Sequence, residues 1–232
     1  MRLYLIRHGQ SVSNAEWDAS GLRQVRVEDP VLTDLGRRQA ADLAAVIGAR
    51  RGTSEGPVDG LFGISRLYSS LMLRAVETGA ILGPALGAPW VAWTDTHEVG
   101  GMYVEDETGQ TFLSRPGSGR AYFASRYPEL ALPADLSDEG WWLRPFETDS
   151  ERPARARRVW DALGNRHAGD SIALITHLGF YNQIMAIALG LPPPALSQVW
   201  FELDNCAITI LETGVRVRVI SANLKAVRSG SQ

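Results

Sequence analysis

Short apolar runs that stop abruptly at polar residues recur along the chain. They are residues 2–6, 67–70, 90–93 and 171–176. The first run leads into His8 and the last leads into His177. Continuous apolar runs of this length are typical of strands that are buried on both faces of a parallel sheet. The pattern therefore predicts a parallel sheet whose strands carry polar residues at their ends.

Helical spacing of apolar residues alternates with these runs. Thr33 has the side chain of an N-cap, and it precedes an Ala-, Leu- and Arg-rich segment that predicts a helix to about residue 50. Further helices are predicted at about residues 72–86, 119–127, 150–167 and 178–189. Strands that alternate with helices predict an α/β fold of three layers, with a mostly parallel central sheet and helices on both faces.

The remaining segments complete a single predicted domain over residues 1–232. Residues 51–60 are rich in Gly, Ser and Pro and predict a loop. Residues 99–150 hold many glycines, prolines and aromatic residues, and we expect a cap-like insertion that covers the functional site. Closing strands are predicted at residues 198–204, 206–211 and 215–220. The first of these could pair across a homodimer, which the sequence leaves open.

Composition narrows the class of protein. Hydrophobic residues make up 45% of the 232 residues, which predicts a packed globular protein. The net charge of -3 and the pI near 5.8 argue against a nucleic-acid partner. Cys206 is the only cysteine, no secretory signal pattern is present, and no apolar run approaches transmembrane length. We therefore expect a cytoplasmic protein without a membrane partner.

Candidate reactive residues follow the predicted strands, at the edge where open α/β sheets bind ligands. They are His8, Ser69, Ser70, Glu98 and His177. Arg7 adjoins the first of them, and Arg74 opens the helix after the second strand. Arginine binds phosphate through a planar fork of donors. A neutral histidine beside such a pocket can attack phosphorus, and a carboxyl group can protonate the leaving oxygen.

The chain resembles the histidine phosphatase superfamily, also called the phosphoglycerate mutase-like family. The resemblance rests on Arg7-His8-Gly9-Gln10-Ser11 with Asn14, on residues 69–78 with Arg74, on Glu98 before Gly100-Gly101, and on Thr176-His177. Residues 32–36 also resemble the family segment before its first long helix. These motifs span most of the chain and occur in the family's order, so together they are far more specific than any one of them.

The resemblance implies a role for each matched residue. His8 would be the nucleophile and Glu98 the proton donor, and no metal or organic cofactor is implied. The residues implied to bind the phosphoryl group are Arg7, Asn14, Arg74 and His177, while Gln10 and Ser11 would line the mouth of the pocket.

Two departures from the family pattern bear on function. The usual His-Gly pair is His177-Leu178-Gly179 here. Residues 105–107 are acidic, whereas mutases of the branch carry basic residues after the proton donor. Acidic residues suit a second acid group on the substrate poorly. We therefore expect a phosphomonoesterase that acts on a small-molecule phosphate ester; a phosphoglycerate-mutase-type phosphotransferase and a non-catalytic phospho-ligand-binding protein are the alternatives.

Several individual residues have two interpretations. Asn14 could cap the turn after the first strand instead of contacting phosphate. His97 is a rival acid to Glu98, or its neighbour in the site. Trp141-Trp142 could form a lid that stacks on substrate or a hydrophobic anchor for the insertion. The insertion also contains three arginines that could reach the substrate or be solvated: Arg115, Arg120 and Arg126. His167 is expected in a surface loop.

Overall fold

A computed structural model describes residues 1–21, 27–49 and 63–225 of the chain. The predicted loop at residues 51–60 lies outside the described residues. The strands are β1 Arg2–Arg7, β2 Ile64–Ser69, β3 Trp90–Ala92, β4 Tyr103–Glu105, β5 Phe112–Ser114, β6 Leu130–Ala131, β7 Ser171–Thr176, β8 Ile208–Glu212 and β9 Arg218–Leu224. The helices are α1 Val12–Ser20, α2 Asp34–Ala49, α3 Leu73–Leu86, α4 Arg120–Arg126, α5 Arg152–Arg166 and α6 Leu178–Leu189. In the part of the chain that is described, no helix is both long enough and apolar enough to cross a membrane.

In the described residues, seven strands form one sheet in the order β6-β3-β2-β7-β1-β8-β9. The strands from β6 to β1 are parallel, and β8 and β9 add two antiparallel strands at one side. The register pairs Arg7 with Thr176, and Ser69 with Ile175. The carboxyl ends of β1, β7 and β2 therefore lie side by side. The predicted mostly parallel sheet is confirmed.

Helices cover both faces of this sheet, which confirms the predicted three layers. Successive side chains of a strand point to opposite faces. Accordingly, Tyr4 and Ile6 of β1 pack in a core cluster with residues of α2 and α3. Leu3 and Leu5 pack in a second cluster with residues of α5 and α6. Thr33 caps α2 as predicted, because its Oγ1 accepts a hydrogen bond from the Gly36 N–H at 3.0 Å.

The segment at residues 99–150 is joined to the main core. It contains the β4–β5 hairpin, helix α4 and strand β6, which pairs with β3 at the edge of the main sheet. Phe123, Leu136 and both adjacent tryptophans belong to the same core cluster as α2 and α3. The insertion is thus anchored by its own apolar side chains and by strand pairing, and the sequence did not predict strand β6.

The predicted strand at residues 198–204 is wrong. This segment is irregular, and at Phe201 the Asn182 side chain makes both backbone hydrogen bonds that a neighbouring strand would make. Its Oδ1 accepts from the Phe201 N–H at 2.8 Å, and its Nδ2 donates to the Phe201 carbonyl at 3.0 Å. The strand pairing that could have built a homodimer is therefore not formed by this segment.

Side-chain hydrogen bonds also explain a helix that was not predicted and a histidine that was predicted in the wrong environment. Helix α1 was not predicted, although Ser11 and Asn14 form a capping box at its start. His167 is buried and not in a surface loop. Its ring nitrogens lie 3.0 Å from the Tyr68 hydroxyl and 3.0 Å from the Asp170 carboxylate. Those polar partners make its burial acceptable.

Two glycines bring the start of α2 against the loop that follows β1. A Cβ atom on Gly36 would lie 2.1 Å from the Gln10 carbonyl oxygen, and one on Gly9 would lie 2.5 Å from the Gly36 carbonyl oxygen. The Thr33 N–H also donates to the Gln10 carbonyl at 2.9 Å. This backbone contact holds the loop that contains His8, and only glycine leaves room for it.

Gly36→Ala should therefore lower the free energy of unfolding by about 2 kcal/mol, because the added methyl group would force the two backbones apart. Gly48→Ala in the same helix is the matched control, since no atom of the described residues lies within 4 Å of a Cβ there. Removing a helical glycine should raise stability by up to about 1 kcal/mol. Urea unfolding of both variants checks this, and equal behaviour would contradict the close approach.

Candidate active site

His8 lies just beyond the carboxyl end of β1 and is almost fully buried. Its Nδ1 is 2.7 Å from the Gly9 carbonyl oxygen, so the proton of the neutral ring sits on Nδ1. The Nε2 atom then keeps a lone pair, and the Arg74 Nε–H donates to it at 3.2 Å. The loop therefore fixes the tautomer in which Nε2 is able to act as a nucleophile.

His177 stands next to His8 at the end of β7. The two ring centroids are 5.1 Å apart. The His177 Nε2 is 2.8 Å from the Ser70 Oγ at the end of β2. Its Nδ1 is buried and has no hydrogen-bond partner among the described residues. The carboxyl ends of three neighbouring strands thus hold His8, His177 and Ser70 close together, as the polar residues at these strand ends predicted.

The guanidinium groups of Arg7 and Arg74 lie close enough to His8 for their charges to act on it. Arg74 lies in the first turn of α3, and the Thr78 hydroxyl ties that turn to the His8 loop: it donates to the Arg74 carbonyl and accepts from the Gly9 N–H. Arg7 donates from Nη1 to the Leu203 carbonyl at 2.6 Å. Burial lowers the pKa of both arginines, and the Glu98 charge opposes this shift in each case.

Glu98 docks on the N-terminus of α6, immediately after His177. Its Oε1 accepts from the N–H groups of Val99 and Phe180, both at 2.8 Å, and its Oε2 accepts from the Gly179 N–H at 3.0 Å. A Cβ atom at Gly179 would lie 2.6 Å from the Glu98 Oε1. The departure from the family pattern at Leu178-Gly179 therefore affects the site, because Gly179 leaves room for the Glu98 carboxyl group.

The buried histidines are held neutral. Burial lowers the pKa of His8 well below its usual range, and the nearby Arg74 and Arg7 charges lower it further. Burial, then Arg74 and His8, lowers the pKa of His177 in the same direction. An imidazole with a lowered pKa is available as a nucleophile at neutral pH.

The remaining predicted pocket residues have local partners. Asn14 Oδ1 accepts from the Ser11 N–H and hydroxyl at 3.1 Å each. Asn205 Nδ2 donates to that same oxygen at 3.3 Å and to the His8 carbonyl at 3.0 Å. Gln10 bonds to Thr33 and Asp18 through its amide group. Phosphate contacts from Asn14, Gln10 and Ser11 stay predictions.

Aromatic and basic residues of the insertion pack against or bond to neighbouring groups of the protein. Trp141 and Trp142 are buried and pack against the His97 ring at centroid distances of 6.0 and 4.6 Å, as expected of an anchor. Arg120 donates to three backbone carbonyls of residues 133–136. Arg126 stacks on the Tyr122 ring at 4.8 Å.

Sequence reasoning missed Asp29 as a neighbour of the site. Its Oδ1 accepts from the Leu73 N–H at 3.0 Å, next to Arg74. Burial raises the pKa of Asp29 to about 7, while the Arg74 charge opposes that shift. Leu73 is 44 positions away, so no local pattern marks this carboxyl group. Among the described residues, no three His, Cys, Asp or Glu side chains are grouped as they would be to hold a metal ion.

Comparisons with known proteins give one family model and a set of solved structures that the chain resembles. The model of the histidine phosphatase superfamily (branch 1) matches residues 3–222. No curated protein sequence matches the chain significantly. Several solved structures share its fold at low sequence identity.

Three of these structures cover nearly the whole chain. Mycobacterial glucosyl-3-phosphoglycerate phosphatase is 21% identical with a TM-score of 0.57, covering 96% of this chain and 99% of its own. YhfR of Bacillus stearothermophilus is 21% identical with a TM-score of 0.59, covering 96% of both chains. The alpha-ribazole phosphatase of Shigella flexneri is 16% identical with a TM-score of 0.63, covering 100% of both chains. At these identities the likeness shows the fold.

The lowered histidine pKa values predict how stability depends on pH. Below about pH 6.5 the unfolded chain binds protons on His8 and His177 that the folded chain does not, so stability falls as pH falls. His8→Asn should reduce the slope of unfolding free energy against pH by about 1.4 kcal/mol per pH unit below pH 6.5. Urea unfolding between about pH 4.5 and 6.5 measures this. An unchanged slope would mean that folded His8 titrates normally.

Proposed function

The chain belongs to branch 1 of the histidine phosphatase superfamily, and on that premise we propose that it hydrolyses a phosphate monoester through a phosphohistidine on His8. The observation that carries the proposal is the contact chain at the strand ends. Arg74 bonds to the His8 Nε2, His8 adjoins His177, and Glu98 docks beside that histidine. A nucleophile, anion-binding groups and a carboxyl group therefore converge at one place.

Charge in the site favours a phosphate group. Among the described residues, neither Arg7 nor Arg74 forms a salt bridge with a carboxylate. Burial of two guanidinium groups is costly unless an anion accompanies them. The buried Nδ1 of His177 and the Nε of Arg7 also lack partners within the described chain. A phosphoryl group would offset both charges and accept hydrogen bonds from these atoms.

The first chemical step transfers the phosphoryl group to His8. The Nε2 lone pair forms a bond to phosphorus while the bond from phosphorus to the leaving oxygen breaks. Glu98, in its protonated form, gives its proton to that oxygen, so the product is an alcohol. The α6 N-terminus then stabilises the carboxylate that remains.

The second step releases phosphate. The Glu98 carboxylate takes a proton from water as the water oxygen attacks phosphorus, and the bond from phosphorus to Nε2 breaks. The products are inorganic phosphate and neutral His8, while Glu98 is protonated again. The Oε2 atom accepts one backbone N–H and keeps a second lone pair for this proton. The cycle closes without a cofactor.

The loop that follows Glu98 suits hydrolysis better than transfer of the phosphoryl group to a second phosphorylated acid. Glu105 and Glu107 add negative charge there, and Asp106 accepts hydrogen bonds from Thr108 within its own turn. This charge would repel a substrate with a second acid group. The names of two structural neighbours, a glucosyl-3-phosphoglycerate phosphatase and an alpha-ribazole phosphatase, also support a phosphatase. We propose a small-molecule phosphate ester as the substrate class.

His8→Ala should lower the turnover of an aryl phosphate by about a thousandfold or more, because no other group replaces the nucleophile. The variant should still bind vanadate, since both arginines and His177 remain. Steady-state kinetics and a vanadate-binding titration separate these effects. Turnover near that of the wild type would contradict the assignment of His8.

Glu98→Gln should slow alkyl phosphates about a hundredfold or more but slow activated aryl phosphates far less, because a stable phenolate needs no proton to leave. A series of esters with leaving groups of rising pKa measures this dependence. Equal slowing across the series would assign the proton to another acid.

A further inference from the structure

A buried ion pair lies behind the backbone that contains Glu98. Arg155 of α5 is 2% exposed and Glu147 is 7% exposed. The pair is bidentate: the Arg155 Nη2 donates to the Glu147 Oε2 at 2.7 Å, and its Nε donates to Oε1. Nothing in the resemblance or in the proposed reaction gives these two residues a role.

The pair binds the backbone on both sides of Glu98. The Arg155 Nη1 donates to the carbonyl oxygens of Asp95 at 2.7 Å and His97 at 3.0 Å. On the other side, the Glu147 Oε2 accepts from the Gly100 N–H at 3.3 Å, and the Glu147 N–H donates to the Gly100 carbonyl at 3.0 Å. Arg155 and Glu147 therefore fix the peptide groups before and after Glu98 by hydrogen bonds.

The same arginine also contacts the residue on which Glu98 docks. Its guanidinium carbon lies 4.7 Å from the centre of the Phe180 ring, and the Phe180 N–H donates to the Glu98 Oε1 at 2.8 Å. Arg155 thus touches the Glu98 loop and the start of α6 at once. A planar fork of five donors makes several such contacts in one fixed geometry, which lysine could not do.

His97 holds the remaining carbonyl of this loop. Its Nδ1 lies 2.7 Å from the Glu98 carbonyl oxygen, and its Nε2 accepts from the Arg144 Nη2 at 3.3 Å. Burial, and then the Arg155 and Arg144 charges, lower the pKa of His97 well below its usual range. The ring is accordingly neutral, with Nδ1–H as the donor to Glu98.

Stability alone does not account for such a pair. A buried salt bridge contributes little net stability, since the cost of desolvating two charges offsets their attraction. Its fixed geometry, in contrast, suits a task in which a proton donor must keep a defined distance from the leaving oxygen. A displacement of about 1 Å can cost of the order of a hundredfold in rate.

We propose that Arg155 and Glu147 are positioning residues that hold the Glu98 carboxyl group on the N-terminus of α6, in place for proton transfer. The inference rests on the proposed function for its chemistry. The hydrogen bonds that it invokes are features of the fold and are measurable without turnover.

Glu147→Gln is the first test, because it keeps the shape of the side chain and removes the charge. Turnover of an alkyl phosphate should fall about tenfold or more, while an activated aryl phosphate should change less than about twofold. The double variant Glu147→Met/Arg155→Met removes both charges and guards against misfolding, since apolar replacement of a buried pair is often tolerated. It should show the same selective loss. Equal losses on both esters would overturn the proposal.

Arg157→Met is the matched control. Arg157 lies on the same helix, is 53% exposed at its side chain, and pairs only at the surface with Asp161. Both esters should keep wild-type rates in this variant. A selective loss on the alkyl ester here would show that any charge removed from α5 has this effect, and would overturn the assignment to Arg155 and Glu147.

A double-mutant comparison tests whether the pair acts through Glu98. In a Glu98→Gln background, adding Glu147→Gln should cause no further loss on the alkyl ester, because the positioned proton donor is already absent. A further loss as large as in the wild-type background would show that the pair acts on something else.

Hydrogen exchange gives a readout that does not need activity. In Glu147→Gln, the amides of Gly179 and Phe180 should exchange about tenfold faster or more, and the amides of Leu5 and Ile175 in the sheet should not change. Unchanged Gly179 and Phe180 exchange would overturn the proposal. If the wild type lacked phosphatase activity but the exchange changed as stated, the positioning would stand and the proposed function would fail.

Discussion

The parallel register that joins β1 to β7, and β7 to β2, is the constraint on which the site depends. It aligns the carboxyl ends of three strands, and the residue that directly follows each strand is polar. His8, His177 and Ser70 meet there although they are far apart in the sequence. Apolar side chains on both faces of each strand fix this register, because a shift would change every contact with the helices. Packing of the core therefore sets the distances of the site.

A second constraint is electrostatic. The site places two partly buried guanidinium groups beside two buried histidines, and burial disfavours charge on each of these groups. The histidines respond by staying neutral, whereas an arginine keeps its charge at any ordinary pH. The result is a positive region that contains a neutral histidine, and in the proposed reaction a phosphoryl group would supply the balancing negative charge. Glu98 stands at the edge of this region, held by the N-terminus of α6.

Much of this arrangement was predictable because it is encoded locally. A strand that ends at His8 or at His177 is visible as an apolar run, and Thr33 marks the start of a helix by its side chain. The errors have a common physical cause. Asn182 satisfies the backbone of Phe201 from another element, and His167 finds buried polar partners, so neither outcome is visible in its own segment. The positioning pair behind Glu98 is hidden for the same reason, since Arg155 bonds to carbonyl groups about 60 residues away.

A covalent phosphohistidine on His8 distinguishes the proposed reaction from direct attack by water, and a rapid-quench reaction of the wild-type protein with an activated aryl phosphate detects it. The measurement follows the released phenol, free phosphate and acid-labile phosphate on the protein within the first turnover. We expect a phosphoenzyme that forms as fast as the phenol is released and then decays to phosphate. Phosphate release without any acid-labile phosphoenzyme would contradict the covalent mechanism, and a phosphoenzyme that persists without release would contradict hydrolysis.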